Sequence, residues 1–397
     1  MGLKLKGYCL SILLLMIAGH IMAQNMPKVT ELSMKSVYFN HEREVLIYTP
    51  VNYNEFTATR YDVMYVFDSQ ERAKFDLVHS LRDLACPSDP DQNKHFIIVG
   101  ICSPIYLDIE YYRNTDYLPM PIHAKDAPGN RGLFSYEPNY GRSADLKKFL
   151  KQELMPYIDK TYRTSGRNIG IGHSLSASFV LDCMITDDLF DDYIAMSPNY
   201  SYDEFRLVSD LEQYPFKNHQ EPRFIFTSMG NERQMFGEYW HQGWLRASAF
   251  FSDESHFPKN TIVSVKNYPE YEHNQCYVPS LTEALNEYLQ FSTSFLQQHL
   301  SEETYPIRIE LTGAGMKDDV YITGNQEALG NWDPKRVKME LVNDSTCAID
   351  LQLHLPVYFK FTTGDWDHKI FPENADDGNL IIYNADEKVY NYRRHKE

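Results

Sequence analysis

The sequence predicts an α/β fold with a mostly parallel sheet, followed by a smaller antiparallel β-sandwich. Three observations lead there. Between residue 26 and about residue 300, short and wholly apolar runs recur, as strands covered on both faces require. Stretches with helical spacing alternate with those runs, the mark of strand–helix–strand units. Beyond Ser301-Glu302-Glu303-Thr304-Tyr305-Pro306 the helical spacing stops and short alternating runs take over.

The elements follow in order. Residues 44–50 read as a strand closed by Pro50, and residues 62–67 and 96–101 as buried strands. Residues 75–85 have helical spacing, with Phe75, Val78, Leu81 and Leu84 on one face. Residues 106–142 lose all pattern and are rich in Pro, Gly, Tyr and His. A loop of that length after a strand lies where open α/β sheets form their ligand crevice. Residues 145–162 are helical through Leu146, Phe149, Leu150, Leu154 and Ile158. Strands are expected at 167–171, 193–198, 223–228 and 261–265, then a helix from about Leu281. The sandwich strands are 307–311, 320–324, 348–353 and 358–361. The expected division is a targeting segment at 1–24, an α/β domain at 25–302 and the β-sandwich at 303–397.

Composition narrows the function. Lys4 and Lys6 precede an apolar run at 10–18, and Ala23 offers a small residue for cleavage, so the chain is expected to be a secreted or periplasmic protein. Its formal charge is −17, and loss of the two lysines takes it to about −19. So acidic a protein is not expected to hold nucleic acid, whereas neutral glycans remain suitable partners. No later run is long and apolar enough to span a membrane. After the targeting segment Cys86, Cys102, Cys183, Cys276 and Cys347 remain, an odd number at long spacings. Neither a disulfide framework nor a zinc site is indicated.

The chemistry is written around Ser174. Gly172-His173-Ser174-Leu175-Ser176 lies between a short apolar strand and what reads as an amphipathic helix. A serine at that turn is the nucleophile elbow of an α/β-hydrolase, although the usual second glycine is replaced by Ser176. An elbow serine needs a histidine to take its proton, an acid to orient the histidine, and backbone donors for the oxyanion. The chain order in this fold is serine, acid, histidine. Glu232, just past the 223–228 strand, fits the acid, with Asp253 and Glu254 as competitors and helix capping as its other use. His273, just past the last strand, fits the base better than His241 or His256. The oxyanion donors are expected at the amides of Leu175 and of Ser69 or Gln70. No metal or cofactor is required.

These segments resemble the esterase family of α/β-hydrolases that includes esterase D, feruloyl and acetylxylan esterases and siderophore-ester hydrolases. The resemblance spans residues 35–295. It rests on Met64-Tyr65-Val66-Phe67-Asp68, Arg113-Asn114-Thr115-Asp116-Tyr117-Leu118-Pro119, the elbow, Ser197-Pro198 and Glu272-His273. Ser69 and Ser176 stand where that family commonly has glycine. The last hundred residues resemble a starch-binding module of carbohydrate-binding module family 20. That resemblance is carried by Ala328-Leu329-Gly330-Asn331-Trp332-Asp333-Pro334 and by the run from Phe359 through Trp366. It implies sugar stacking on Trp332, helped by Lys360; the module's usual late tryptophan is missing here, and Trp366 either takes its place or is structural. The expected function is an exported serine esterase acting on acylated carbohydrate. The alternatives are a siderophore-ester hydrolase, or a glycan-binding protein whose hydrolase domain is inactive.

Overall fold

A computed structural model describes residues 26–85, 88, 90–104, 106–108, 111–119, 141–313, 319–387 and 389–395. The expected targeting segment, Cys86 and most of the 106–142 loop lie outside the described residues. The chain divides into two compact units. One comprises Glu31–Ile47 and Tyr61–Ser301, the other Tyr48–Arg60 and Glu302–Glu397 together with the amino-terminal residues up to Thr30.

The larger unit is built on an eight-stranded sheet. Its strands are β1 (Lys28–Met34), β2 (Arg43–Thr49), β3 (Tyr61–Phe67), β4 (Phe96–Ile101), β7 (Thr164–His173), β8 (Asp192–Met196), β9 (Arg223–Gly230) and β10 (Thr261–Tyr268). The spatial order is β1-β2-β4-β3-β7-β8-β9-β10, and the neighbours from β4 to β10 run parallel. Two short strands, β5 (Tyr106–Asp108) and β6 (Tyr111–Tyr112), pair with each other outside this sheet.

Every residue of β3, β4, β8 and β9 is buried, and β3 beyond Asp62 and the whole of β4 accordingly read as apolar runs. The edge strand β10 is only half-buried. Helices α1 (Arg72–Leu84), α2 (Arg113–Tyr117), α3 (Ser143–Phe149) and α4 (Met155–Thr161) are followed by α5 (Leu175–Thr186), α6 (Tyr202–Gln213), α7 (Arg233–Ser252) and α8 (Tyr277–Gln290). A π-helical turn, Leu150–Leu154, joins α3 to α4. Helix α5 is buried continuously from Leu175 to Met184, so it shows no polar face.

The registers align the carboxyl ends of the central strands. Val66 pairs with Ile171, His173 with Met196, Met196 with Ser228, and Gly230 with Tyr268. The residues just beyond are therefore gathered along one edge of the sheet. Three of those strand ends turn through a non-glycine residue in the left-handed region: Asp68 (φ 61°), Ser174 (φ 64°) and Ser197 (φ 48°). Each such residue costs about 1–3 kcal/mol and persists only where its surroundings hold it.

The smaller unit contains two sheets around one apolar core. The first has the order β14 (Glu340–Asn343), β15 (Thr346–Leu353), β11 (Tyr305–Thr312), β19 (Val389–Arg393). The second has the order β13 (Val337–Lys338), β12 (Tyr321–Gly324), β16 (Val357–Thr362), β17 (Lys369–Ile370), with β18 (Leu380–Ile382) also on β16. Ile307, Ile309 and Leu311 of β11 alternate inward and meet Ile322, Phe359 and Phe361. All pairings are antiparallel except β11 with β19, which is parallel and departs from the expected all-antiparallel arrangement. Residues 48–60 join this unit from far upstream. Ala58 packs on its core and donates its N–H to Asn374 O at 2.7 Å, and Arg60 pairs with Glu387 at 3.1 Å.

Candidate active site

Ser174 occupies the tip of a tight turn between β7 and α5. Its backbone (φ 64°, ψ −127°) is anchored by donation of its N–H to Met196 O at 2.9 Å. The turn closes only because Gly172 has no side chain. A Cβ there would lie 2.5 Å from Ser176 O and 2.7 Å from Ala177 N. The steric demand for glycine therefore falls before the serine, and Ser176 is accommodated. Ser174 is the one partly exposed residue in an otherwise buried run from Gly172 to Phe179. Its Oγ has no hydrogen-bond partner among the described residues.

The acid and the histidine come from the two neighbouring strand ends on one side. Glu232 follows β9 and His273 follows β10, and Glu232 Oε2 lies 3.0 Å from His273 Nδ1. The approach is off the ideal N–H axis, so in this state the contact is an electrostatic pairing more than an aligned hydrogen bond. Both residues are buried, at 2% and 6% exposure. Asn231 N–H donates to Tyr271 O at 2.7 Å and ties the acid loop to the histidine loop.

Glu232 is further held by the indole N–H of Trp240, which donates to Oε2 at 2.8 Å, and by Gly230 N–H on Oε1 at 3.3 Å. Trp240 reaches back because α7 is broken at Gly237 (φ 83°), which turns the helix after its first residues. Phe236 stacks on Trp240 at 4.3 Å and meets the edge of the His273 ring at 5.0 Å. The competing acids stand elsewhere: Asp253 and Glu254 are exposed, and Asp253 caps a short turn through Ser255 N–H. His256 stacks on Phe250.

His173 is part of the same assembly. Its ring lies 4.7 Å from that of His273, and its Nε2 donates to His273 O at 3.1 Å. Burial pushes the His173 imidazole well below its usual range, and the adjacent His273 acts in the same direction. His173 is thus a neutral strut between the elbow and the histidine loop. Cys276 Sγ donates to the same carbonyl at 3.2 Å.

The oxyanion side corrects one expectation. Ser69 N–H donates to Ile101 O at 3.0 Å, continuing the β3–β4 ladder one bond past the strands. That amide is spent, and Ser69 cannot serve as donor. Among the described residues, the next amide, of Gln70, donates to nothing, and neither does that of Leu175, the first residue of α5. First-turn amides of a helix have no acceptor within it. The two free N–H groups come from the adjacent ends of β3 and β7.

In the small unit, Trp332 ends a left-handed stretch of Gly330, Asn331 and Trp332, and its N–H donates to Gly324 O at 2.9 Å. Thr362 Oγ1 donates to Pro334 O at 2.6 Å, so the loop bearing Trp366 adjoins the Trp332 turn. Trp366 is 40% exposed and Trp332 is half-buried. Lys360 is placed otherwise. It is buried on β16, with its ammonium on Asp377 O at 3.4 Å, and does not stand at the surface beside the tryptophans. Among the described residues no group of three or more His, Cys, Asp or Glu is arranged to hold a metal ion. No helix among them is long and apolar enough to cross a membrane.

Comparison with known families decides the relationship. Residues 36–332 match the family model described as "Putative esterase". The chain belongs to this esterase family. It is accordingly a carboxylic ester hydrolase with the α/β-hydrolase fold. The matched region runs past Ser301 into the small unit. Solved structures share the fold at low sequence identity. An IroE-like serine hydrolase from Shewanella oneidensis is 24% identical with a TM-score of 0.55, covering 66% of this chain and 80% of its own. The siderophore hydrolase EstA from Aspergillus nidulans is 15% identical with a TM-score of 0.53, covering 68% and 96%. EstB from the same organism is 16% identical with a TM-score of 0.51, covering 66% and 94%. No curated protein matched the sequence.

Proposed function

We propose that this esterase is an exported serine enzyme acting on acylated carbohydrate. The observation that carries the catalytic part is the Glu232–His273 pair, 3.0 Å apart beside the strained elbow of Ser174. Ser174 Oγ attacks the ester carbonyl while His273 Nε2 takes its proton. Glu232 faces Nδ1 and stabilises the imidazolium that forms. The oxyanion accepts from the amides of Leu175 and Gln70. Collapse expels the alcohol, which receives its proton from His273 and leaves an acyl group on Ser174. Water, activated by the same histidine, then releases the acid.

The carbohydrate part rests on the small unit, read as a β-sandwich module presenting Trp332 and Trp366 on adjoining loops. Flat aromatics of that kind stack on the apolar faces of sugar rings. Turnover of p-nitrophenyl acetate tests the mechanism. Ser174→Ala should lower kcat at least about 10³-fold. Equal rates in both proteins would defeat the assignment. A panel of acetyl, feruloyl and catecholate esters tests the substrate. Highest kcat/KM on acylated glycan is expected, and preference for catecholate esters would move the enzyme to siderophore chemistry.

A further inference from the structure

We propose that Ser176 is a positioning residue of the oxyanion site, acting through Asp68; the inference rests on the catalytic reading above. Ser176 is fully buried on the first turn of α5. Its Oγ accepts the N–H of His173 at 2.9 Å and lies 2.8 Å from Asp68 Oδ2 and 2.9 Å from His173 O. A hydroxyl has one proton to give. The ionised carboxylate is the stronger acceptor, so the proton goes to Asp68.

Asp68 is itself fully buried and carries its charge there. Burial alone would raise its carboxyl. The Arg113 guanidinium, bound at 2.6 Å through both Nε and Nη2, outweighs that, and with Ser176 holds it below the usual carboxylate range. Arg113 also reaches His173 O at 3.4 Å. A closed ring results, running from the elbow strand through Arg113 and Asp68 to Ser176 and back to the elbow.

The loop that follows Asp68 is fixed at each step. Ser69 donates its N–H to Ile101 O and its Oγ proton to Val66 O at 2.8 Å. The Gln70 side chain bridges Asp68 Oδ1 at 3.2 Å and Ser103 N–H at 2.9 Å. In this pinned loop the Gln70 N–H is left without an acceptor among the described residues. Its partner at the site, the Leu175 N–H, is one residue from Ser176. The Asp68–Ser176 bond is the direct side-chain link between the two amide-bearing segments. It sets their spacing, and hence how well both donors meet a developing oxyanion.

The test isolates the hydroxyl. Ser176→Ala keeps the Cβ and removes the bond. In the full chain, kcat on p-nitrophenyl acetate should fall by about 10–100-fold with KM changed less than about twofold, a fraction of what loss of a whole donor costs. The inhibition constant for a trifluoromethyl ketone, whose serine adduct places an oxyanion in the same site, should rise by the same factor. Gln70→Ala, a change at a half-buried loop residue, leaves the core intact and should give the same paired signature with smaller size. Unchanged kcat and ketone affinity in both variants would overturn the proposal. A fall in kcat with ketone affinity retained would overturn it too, because the loss would then arise elsewhere. Equal rates in wild type and Ser174→Ala would remove the catalytic reading on which it stands, whatever the Ser176 variants do.

Discussion

Trp240 donates its indole N–H to Glu232 Oε2, the same oxygen that faces His273 Nδ1. The acid of the pair is thus oriented by a side chain eight residues further along. Loss of a hydrogen bond to a charged group is worth about 1.5–3 kcal/mol. Trp240→Phe keeps the ring against Phe236 and frees the carboxylate to rotate. We expect kcat/KM to fall by about tenfold with KM little changed, as partial misorientation of the base predicts. Steady-state kinetics beside Glu232→Gln, which should lose more, checks this.

His173 offers a second prediction, in pH. Because burial keeps it neutral, it adds no charge beside His273 in the working range. His173→Phe preserves the ring contact with His273 and removes the bond to its carbonyl. The rate should fall by a factor of about 5–10, the equivalent of one hydrogen bond. The acidic limb of the kcat/KM–pH profile should stay in place. An upward move of that limb would mean that His173 had been charged.

Gly172 and Gly166 make a matched pair for stability. Gly172→Ala drives a Cβ into the backbone of Ser176 and Ala177, so a loss of several kcal/mol, on the order of a severe core mutation, is expected. Gly166 has φ +92° with open space around it. Gly166→Ala should cost only the backbone strain, about 1–2 kcal/mol. Denaturant unfolding of the two variants measures the difference.

Asp191 gives the stability a pH dependence. Burial raises its carboxyl to about 6, against the opposing charge of Arg167. A carboxyl raised on folding holds its proton more tightly in the native state. As pH rises from the unfolded value near 4 to about 6, the unfolded chain releases the proton first, and stability is lost through that window. Asp191→Asn should therefore stabilise the protein at pH 7–8, on the order of 1 kcal/mol for a half-buried group, and do nothing at pH 4. Thermal midpoints at the two pH values provide the measurement.

The small unit is tested by affinity electrophoresis in amylose and xylan gels. Retardation is expected for the wild type and should be reduced by Trp366→Ala, and less by Trp332→Ala because that ring is half-buried. Migration unaffected by every glycan would remove the carbohydrate reading.

Much of this was legible in the sequence for physical reasons. Strands β3 and β4 are buried on both faces, and such strands cannot disguise their apolar runs. The closeness of Glu232 and His273 was legible because each follows a strand, and the ends of neighbouring parallel strands lie along one edge of the sheet. That of Trp240 was not, since its reach depends on the break at Gly237, and a helix with 3.6 residues per turn does not suggest it. Ser69 was misplaced because a hydrogen-bond ladder can outrun its strands by one residue, and no side chain records that. Ser176 looked like a defect of the elbow; its hydroxyl, seen with Asp68, is a connection. Lys360, which the resemblance brings to the sugar site, is covered on β16, and no pattern in the sequence separates a covered lysine from an exposed one there.

The contribution of residues 48–60 to the small unit bears on how such a protein can be cut, inherited or recombined. A chain ended at Ser301 would keep Ala58 but remove the Asn374 carbonyl it donates to and the apolar cluster it covers. A chain begun at Glu302 would lack that strip altogether. No single breakpoint in the sequence separates the two units. The two sheets and the apolar core of the small unit are built wholly from residues 305–393, and the upstream strip adds Ala58, packed against that core. Grafting it onto another enzyme would require two junctions, not one.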